Sequence, residues 1–418
     1  MLVGAPLKSL ARDLADEHLA ELARLVDTAG GKVVGTVVQR IDAPHPRYYV
    51  GEGKAKSLAE LVTESEADLV VFDEELSPAQ GKNLEDLIEV RVMDRSELIL
   101  DIFATRARSK EARMQVELAQ LEYLLPRLRR MWSHLSRIRG GIGLRGPGET
   151  QLETDRRLIG TRIGDLRRKL KEVAKARAVQ RRSREGSYRA ALVGYTNAGK
   201  SSLLRELSGS ELFVEDRLFA TLDSATRGVE LGSGYEALLT DTVGFIRKLP
   251  HHLVASFRST LEEAREADIL LHVIDASHSD WEEQREVVLE VLEELGLQGR
   301  EKVLVFTKID RLTPTEENAL RERIRALEAT PAVFVSAHEP ETLGALRDTL
   351  RARVQGTLAR VVVRIPVADG ETIAAVYREG EVTSRIDESL LVSLTARVPK
   401  ALLGRLNGRD GIVVEEVA

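Results

Sequence analysis

The stretch Gly194–Ser201, GYTNAGKS, constrains the fold more than any other. It has the spacing G-x-x-x-x-G-K-[ST], directly follows the apolar run RAALVGY and directly precedes the helical run SSLLRELSG. Such a loop works only where the carboxyl end of a strand meets the amino end of a helix. There its backbone N–H groups and the helix dipole converge on one anion. Four further apolar runs follow, EALLTDTVG, DILLHVIDAS, KVLVFTKID and PAVFVSA, separated by helical stretches. That alternation predicts an α/β fold with a doubly wound sheet and ligands at the carboxyl ends of its strands.

The residue types at those strand ends point to a guanine nucleotide. Lys200 is placed to reach the β- and γ-phosphates, and the Ser201 hydroxyl to ligate Mg²⁺. Asp241, in TDTVGF, would hold that ion through water, with the Gly244 amide facing the γ-phosphate. Asp310, in TKID, can accept from both N1–H and the 2-amino group of guanine, a pairing adenine cannot offer. Ser336 and Ala337 end the next strand, where backbone amides would meet the guanine O6. Thr221, in LFATLDSATR, lies between the phosphate loop and Asp241, where a switch residue has to close over Mg²⁺. The catalytic set is therefore Lys200, Thr221, Asp241 and Gly244, and the metal ligands are Ser201 and Thr221. The nucleotide contacts expected are Gly194, Tyr195, Thr196, Asn197, Ala198, Gly199, Lys200, Ser201 and Ser202 in the phosphate loop. Phe219, Ala220, Thr221, Leu222 and Asp223 follow in the first switch, then Asp241, Thr242, Val243 and Gly244 in the second. Thr307, Lys308, Ile309 and Asp310 join Ser336, Ala337 and His338 around the base. Thr307 stands where an asparagine is common, and a weaker brace on the phosphate loop is expected.

Four regions are predicted along the 418 residues. Residues 1–107 alternate helical and strand-like stretches, as in LARDLADEHLAELARLV and ADLVVFDEELS, and read as a small α/β domain with some parallel strands. Within it VGEGK, Val50–Lys54, reads as a turn, and SPAQGKNLEDLIEV opens on a Ser-Pro helix start. Residues 108–187 carry two heptad seams. Met114, Leu118, Leu121, Leu125 and Leu128 form one; Leu152, Ile159, Ile163, Leu166, Leu170 and Val173 form the other. They predict an antiparallel helical hairpin with a Gly- and Arg-rich tip. Residues 188–356 are the nucleotide domain, and 357–418 a small α+β domain with three strand-like runs and two short helices.

Charge singles out the hairpin. From Arg127 to Arg189 there are 19 Lys and Arg against 6 Asp and Glu, a surplus of 13 that leaves the rest of a −6 chain at −19. A polyanion that meets this region alone explains the asymmetry, as does a solvated helix surface. Arg137, Arg139 and Arg145 sit among five glycines in RIRGGIGLRGPGE, so backbone can approach RNA closely while guanidinium groups pair phosphates or stack on bases. A simple turn is the alternative. With no cysteine, disulfides and thiolate zinc sites are excluded. No apolar run approaches the length of a membrane span and no secretory signal is evident, so a cytoplasmic protein is expected.

Taken together, FDEELSPAQGKNLED, DRSELILDIFATRARSKEARMQVELAQLEYLLPRL, RGPGETQLETDRR and DTVGFIRKLP resemble the HflX family of ribosome-associated GTPases, from about residue 40 to about residue 350. The last 60 or so residues are similar to that family's small C-terminal domain. The resemblance implies GTP and GDP as ligands, Mg²⁺ as cofactor, and binding to the large ribosomal subunit with rRNA contacts near the peptidyl-transferase centre. It further implies ribosome splitting, rescue of stalled ribosomes under stress, and hydrolysis stimulated by the subunit. Some members handle ATP in the N-terminal domain, but no phosphate-loop pattern precedes residue 190 here. A monomer is expected.

One residue departs from the usual GTPase pattern. Phe245 follows Gly244 where a glutamine often aims the attacking water. Either the ribosomal partner positions the water, with Phe245 turned away from the phosphates, or a K⁺ ion held by Asn197 supplies charge there. Asn197 is also a residue type that simply stabilises turns. Two other functions compete with splitting: an assembly or anti-association factor that acts by binding, and an RNA-modifying or RNA-unwinding enzyme. The chain shows no recognisable modification chemistry.

Overall fold

A computed structural model of the chain describes residues 1–131, 147–182, 187–210, 217–249 and 263–417. Its first unit alternates β1 (Leu2–Gly4), α1 (Arg12–Thr28), β2 (Thr36–Val38), α2 (Glu52–Glu64), β3 (Leu69–Phe72), α3 (Pro78–Ile88) and β4 (Arg91–Asp94). The strands are parallel in the order β2-β1-β3-β4. The Ser-Pro signal at residue 77 is a full capping box, with Ser77 and Gln80 satisfying each other's backbone amides and Pro78 in the first turn. Val50–Lys54 is not a free turn. Gly51 caps α2, whose first helical residue is Glu52, and the Gly51 amide donates to Gln39 at 2.9 Å.

Helix α4 (Arg95–Arg106) starts directly after β4 and leads into the hairpin formed by α5 (Lys110–Met131) and α6 (Pro147–Arg182). Met114 and Leu118 pack on Ile163 and Leu166, with Leu121, Leu125, Ile159, Leu170 and Val173 at the margins of that seam. Arg177 pairs with Glu111 and Arg162 with Glu117, so the helices run antiparallel. The tip arginines Arg137, Arg139 and Arg145 lie outside the described residues.

The central sheet has six strands in the order β10-β9-β8-β5-β7-β6. These are β5 (Tyr188–Gly194), β6 (Ala225–Gly232), β7 (Tyr235–Asp241), β8 (Ile269–Asp275), β9 (Lys302–Thr307) and β10 (Ala332–Phe334). Helices α7 (Lys200–Ser208), α8 (Trp281–Glu294), α9 (Pro314–Leu327) and α10 (Leu343–Thr357) cover it. Five strands were expected, and β6 is the sixth, an antiparallel edge strand paired with β7. Its signal is the Gly232-Ser233-Gly234 turn, in which all three residues take positive φ (83°, 56° and 79°).

The last unit also exceeds expectation, with four strands in place of three. Strands β11 (Ala359–Pro366), β12 (Glu381–Asp387), β13 (Leu391–Val398) and β14 (Val413–Glu416) pair antiparallel in the order β12-β13-β11-β14. Helices α11 (Gly370–Glu379) and α12 (Lys400–Asn407) connect them. The two edge strands, β12 and β14, are largely exposed and so carry little apolar alternation. Among the described residues, no helix is long and apolar enough to cross a membrane.

The apolar core does not respect the boundary between the first and central units. One cluster holds Leu22 and Leu25 of α1, Ile99 and Phe103 of α4 and Val116 of α5. The same cluster holds Tyr195, Phe219, Leu222, Val243, Phe245, Ile246 and, from α8, Val288 and Leu292. The four-stranded C-terminal sheet has its own separate core.

His272, in the middle of β8, is fully buried, and neither ring nitrogen has a hydrogen-bond partner among the described residues. Burial, aided by Arg285, Lys302 and Lys200, lowers its pKa to about 3. Folding therefore forces this ring to stay neutral at pH values where the unfolded chain protonates it, and stability falls with falling pH below about 6.5. The expected loss between pH 7.5 and 5 is roughly 2 kcal/mol. His272→Val should abolish that part of the acid sensitivity, as read by denaturant titration at both pH values; an unchanged pH dependence would contradict the assignment.

Candidate nucleotide-binding site

The phosphate loop leaves β5 at Gly194 and enters α7 at Lys200, with Asn197 (φ 60°) and Gly199 (φ 93°) in the left-handed region. Close approach requires two glycines here. A Cβ on Gly194 would lie 2.3 Å from the Val273 carbonyl oxygen, and one on Gly244 would lie 2.7 Å from the Thr196 Cα. The Lys200 ammonium donates to the carbonyls of Gly194 (3.1 Å) and Tyr195 (2.8 Å). Its burial lowers the pKa to about 8, with Asp241 opposing and Lys308 reinforcing the shift.

Three oxygens from different elements converge beside it. Ser201 Oγ lies 2.6 Å from Thr221 Oγ1 and donates to Asp241 Oδ2 at 2.6 Å. Asp241 Oδ1 is buried without a partner among the described residues. Burial raises the Asp241 carboxyl, against the Lys200 charge and the bonds from Ser201 and Thr221. Hard oxygen donors with one buried acceptor left over fit Mg²⁺, which Ser201, Thr221 and Asp241 would hold.

The base side is a cavity of about 330 Å³ lined by Asn197, Gly199, Ser202, Thr307, Lys308, Asp310, Ala337 and His338, among others. Asn197, Gly199 and Ser202 also line the phosphate pocket, together with Thr196, Lys200, Ser201, Phe219, Ala220, Thr221, Thr242 and Gly244. Ser336 donates from its hydroxyl to Asp310 and accepts from the His338 amide at 3.0 Å, so the Asp310 carboxylate is oriented from the segment after β10. Lys308 takes the left-handed conformation and pairs with Asp275 at 2.7 Å. Thr307 does brace the phosphate loop: its hydroxyl lies 2.7 Å from the Ala198 carbonyl and 3.0 Å from that of Ile274, with one proton to give to either.

Several residues expected at the nucleotide point elsewhere. Leu222 and Val243 bury their side chains in the shared core and Ile309 in a second apolar cluster, which leaves only their backbone to face a ligand. The Asp223 carboxylate accepts from the hydroxyl of Ser109 and from the amides of Arg108 (3.2 Å) and Ser109 (3.1 Å), at the foot of the hairpin. Tyr195 turns its hydroxyl to Glu21 of α1. Phe245 is 1% exposed, and its backbone pairs with the phosphate loop: Thr196 N–H donates to Phe245 O at 2.6 Å, and Phe245 N–H to Gly194 O at 3.1 Å. Its ring is turned into the core.

Sequence reading missed the charged network behind this loop. Arg95, 1% exposed, bonds to Glu21 and donates to Asp73 at 2.9 Å. Arg247, two residues after Phe245, donates to both oxygens of Asp73 (2.8 and 2.9 Å), and its amide donates to the Tyr195 hydroxyl at 3.0 Å. Lys248 adds contacts to Asp73 and Glu74, each at 3.1 Å. Burial alone would raise the Glu21 and Asp73 carboxyls, but Arg95 and Arg247 outweigh it and hold both below the usual range. Only the basic pair after TVGF could have hinted at this, since partners as far apart as Glu21 and Arg247 leave no local pattern.

Removing one member strands a buried charge, which costs about 3–5 kcal/mol. Arg95→Ala should destabilise the chain by that amount in urea titration, and a change under 1 kcal/mol would show that the network is not structural. A second expectation concerns Lys200. Phosphates arriving beside an ammonium of pKa about 8 raise that value, so nucleotide binding takes up a proton above pH 8. GDP affinity should fall as pH rises beyond about 8, and calorimetry at pH 8.5 in two buffers of different ionisation enthalpy should give different apparent enthalpies. Identical enthalpies would count against the shift.

Three family models match in succession: "GTP-binding GTPase N-terminal" over residues 16–104, "GTP-binding GTPase Middle Region" over 106–184 and "50S ribosome-binding GTPase" over 189–308. Among similar proteins, the GTPase HflX of Escherichia coli K12 is 45% identical over 387 residues, covering 92% of this chain and 90% of that one. The GTPase HflX of Caldanaerobacter subterraneus subsp. tengcongensis is 52% identical over 299 residues, covering 71% and 70%. A crystal structure of SsGBP with GDP aligns over 85% of this chain and 98% of that one, at 25% identity and a TM-score of 0.46.

Proposed function

Because the chain belongs to the HflX family of GTPases, we propose that it binds the large ribosomal subunit, splits or rescues stalled ribosomes, and hydrolyses GTP fastest on that subunit. The observation that carries this reading is the shared core. Both switch segments pack with α1, α4 and the foot of the hairpin in one apolar cluster. A load on the hairpin therefore reaches the residues around the γ-phosphate through packed side chains. The similarity to the 50S ribosome-binding GTPase model over the nucleotide domain supports the choice of partner. The basic hairpin sequence, which includes Arg137, Arg139 and Arg145, is the part assigned to rRNA.

In the reaction, the amides of the phosphate loop and Lys200 hold the β- and γ-phosphates. Ser201, Thr221 and Asp241 fix the position of the metal, and the Gly244 amide marks the γ-phosphate. Asp310, aligned by Ser336, selects guanine. Bound Mg²⁺ supplies positive charge to the phosphate oxygens. Phe245 leaves the water unaimed, so the subunit orders the switches and completes the site. A K⁺ ion at Asn197 is a second source of charge, distinguished by comparing turnover in K⁺ and Na⁺. The protein works as a monomer in the cytoplasm.

The alternative is an assembly or anti-association factor that acts by binding alone; the basic hairpin serves it equally well. GTP turnover of the protein alone, with large subunits and with small subunits decides the main point. Stimulation confined to large subunits is expected, and equal rates in all three would sink the proposal. Splitting that persists with a non-hydrolysable GTP analogue would assign hydrolysis to release.

A further inference from the structure

The phosphate pocket contains one arginine that no role above uses. Arg217 lines it beside Lys200, Ser201, Thr221, Thr242 and Gly244. Its side chain is exposed, and among the described residues no ion pair or hydrogen bond engages the guanidinium. The backbone that carries it is nonetheless fixed. Leu218 and Phe219 are buried, the Phe219 amide donates to Thr196 Oγ1 of the phosphate loop at 2.8 Å, and the Phe219 ring packs edge-on against Phe103 at 4.6 Å. Phe219 holds φ 55°, a turn that sets where the preceding residues project. An unpaired guanidinium on a short tether, two residues from an anchor on the phosphate loop, is poised to meet phosphate oxygens.

We propose that Arg217 is a catalytic residue: an arginine supplied in cis that pairs with the γ-phosphate and the β–γ bridging oxygen of GTP as hydrolysis proceeds. The water oxygen bonds to the γ-phosphorus, and the bond to the bridging oxygen breaks with its electron pair staying on GDP. The water proton leaves with the released phosphate. Negative charge therefore builds on the bridging oxygen, where a guanidinium can form two parallel hydrogen bonds. Phe245 can supply no such contact, and Lys200 already spans the ground-state phosphates. The assignment rests on GTP hydrolysis at this site and not on ribosomal stimulation, so its test uses the protein without ribosomal particles.

Intrinsic single-turnover rates and GDP affinity are measured for the wild type, Arg217→Ala and Arg217→Lys, with binding of GDP plus aluminium fluoride as a mimic of the transferring phosphoryl group. Arg217→Ala should lower the rate at least about tenfold. GDP affinity should stay within about twofold, and the tightening produced by aluminium fluoride should be lost; Arg217→Lys should fall between. Unchanged intrinsic turnover in Arg217→Ala overturns the proposal. So does a loss of GDP affinity equal to the loss of rate, which would mark a ground-state contact. A defect seen only when large subunits are added also overturns it, since Arg217 would then touch the ribosome and not the phosphates.

Discussion

The rest of the structure depends on the pairing of Arg95 and Arg247 with Glu21 and Asp73 in a site from which water is excluded. Four charges from α1, the end of β3, the start of α4 and the segment after Gly244 neutralise one another there. Such a cluster adds little net stability compared with an apolar core, but breaking it is expensive. Its consequence is geometric. Asp73 accepts from Arg95 on its own unit and from Arg247 on the nucleotide domain, so the two units cannot separate without exposing a buried carboxylate. Tyr195 extends the constraint into the phosphate loop, since its hydroxyl bonds Glu21 and accepts the Arg247 amide.

Phe245 acquires a meaning in that setting. A glutamine at this position would place an amide in the apolar cluster that joins α4, α8 and the two switches, or would have to leave it for the phosphates. A phenylalanine commits the residue to the core and ties the second switch to the N-terminal unit. The first switch is tied in the same direction by Phe219 against Phe103 and by Asp223 against Ser109. Both switches thus read out onto α4 and the foot of the hairpin. The chain gives up a self-sufficient water-positioning residue and gains a mechanical link.

What the sequence disclosed followed from how local each signal is. The phosphate loop, the strand end at Asp241, the Ser-Pro helix start at residue 77 and most of the two heptad seams are short-range patterns, and each appears in the structure. Strand β6 was missed because an edge strand needs only one apolar face, though its Gly-Ser-Gly turn was legible. At Thr307 the sequence shows that the usual asparagine is missing but not that a hydroxyl of the right reach still contacts the Ala198 carbonyl. Asp223 was assigned to the nucleotide along with Thr221, but its carboxylate is taken by Ser109 and the Arg108 amide at the foot of the hairpin, partners so distant in sequence that they leave no local pattern. The Arg95 network left almost no sequence signal, because apart from the basic pair Arg247-Lys248 nothing in the chain records that positions 21, 73, 95 and 247 meet.

The two ends of the molecule differ in how they join the central unit. The C-terminal sheet keeps its own core and meets the central unit across an open cleft, where Tyr235 donates its hydroxyl to Glu381. A hydrogen bond at a cleft lets the two units shift against each other at small cost. The N-terminal sheet has no such freedom, because its core and its buried charges are continuous with the switches. A rearrangement at Thr221 or Gly244 must therefore either displace the N-terminal unit and hairpin as one body or be resisted by them. By the reciprocity of linked equilibria, anything that grips the hairpin biases the switches by the same free energy with which the switches bias the hairpin. A partner bound on the hairpin can thus act on hydrolysis without touching the nucleotide.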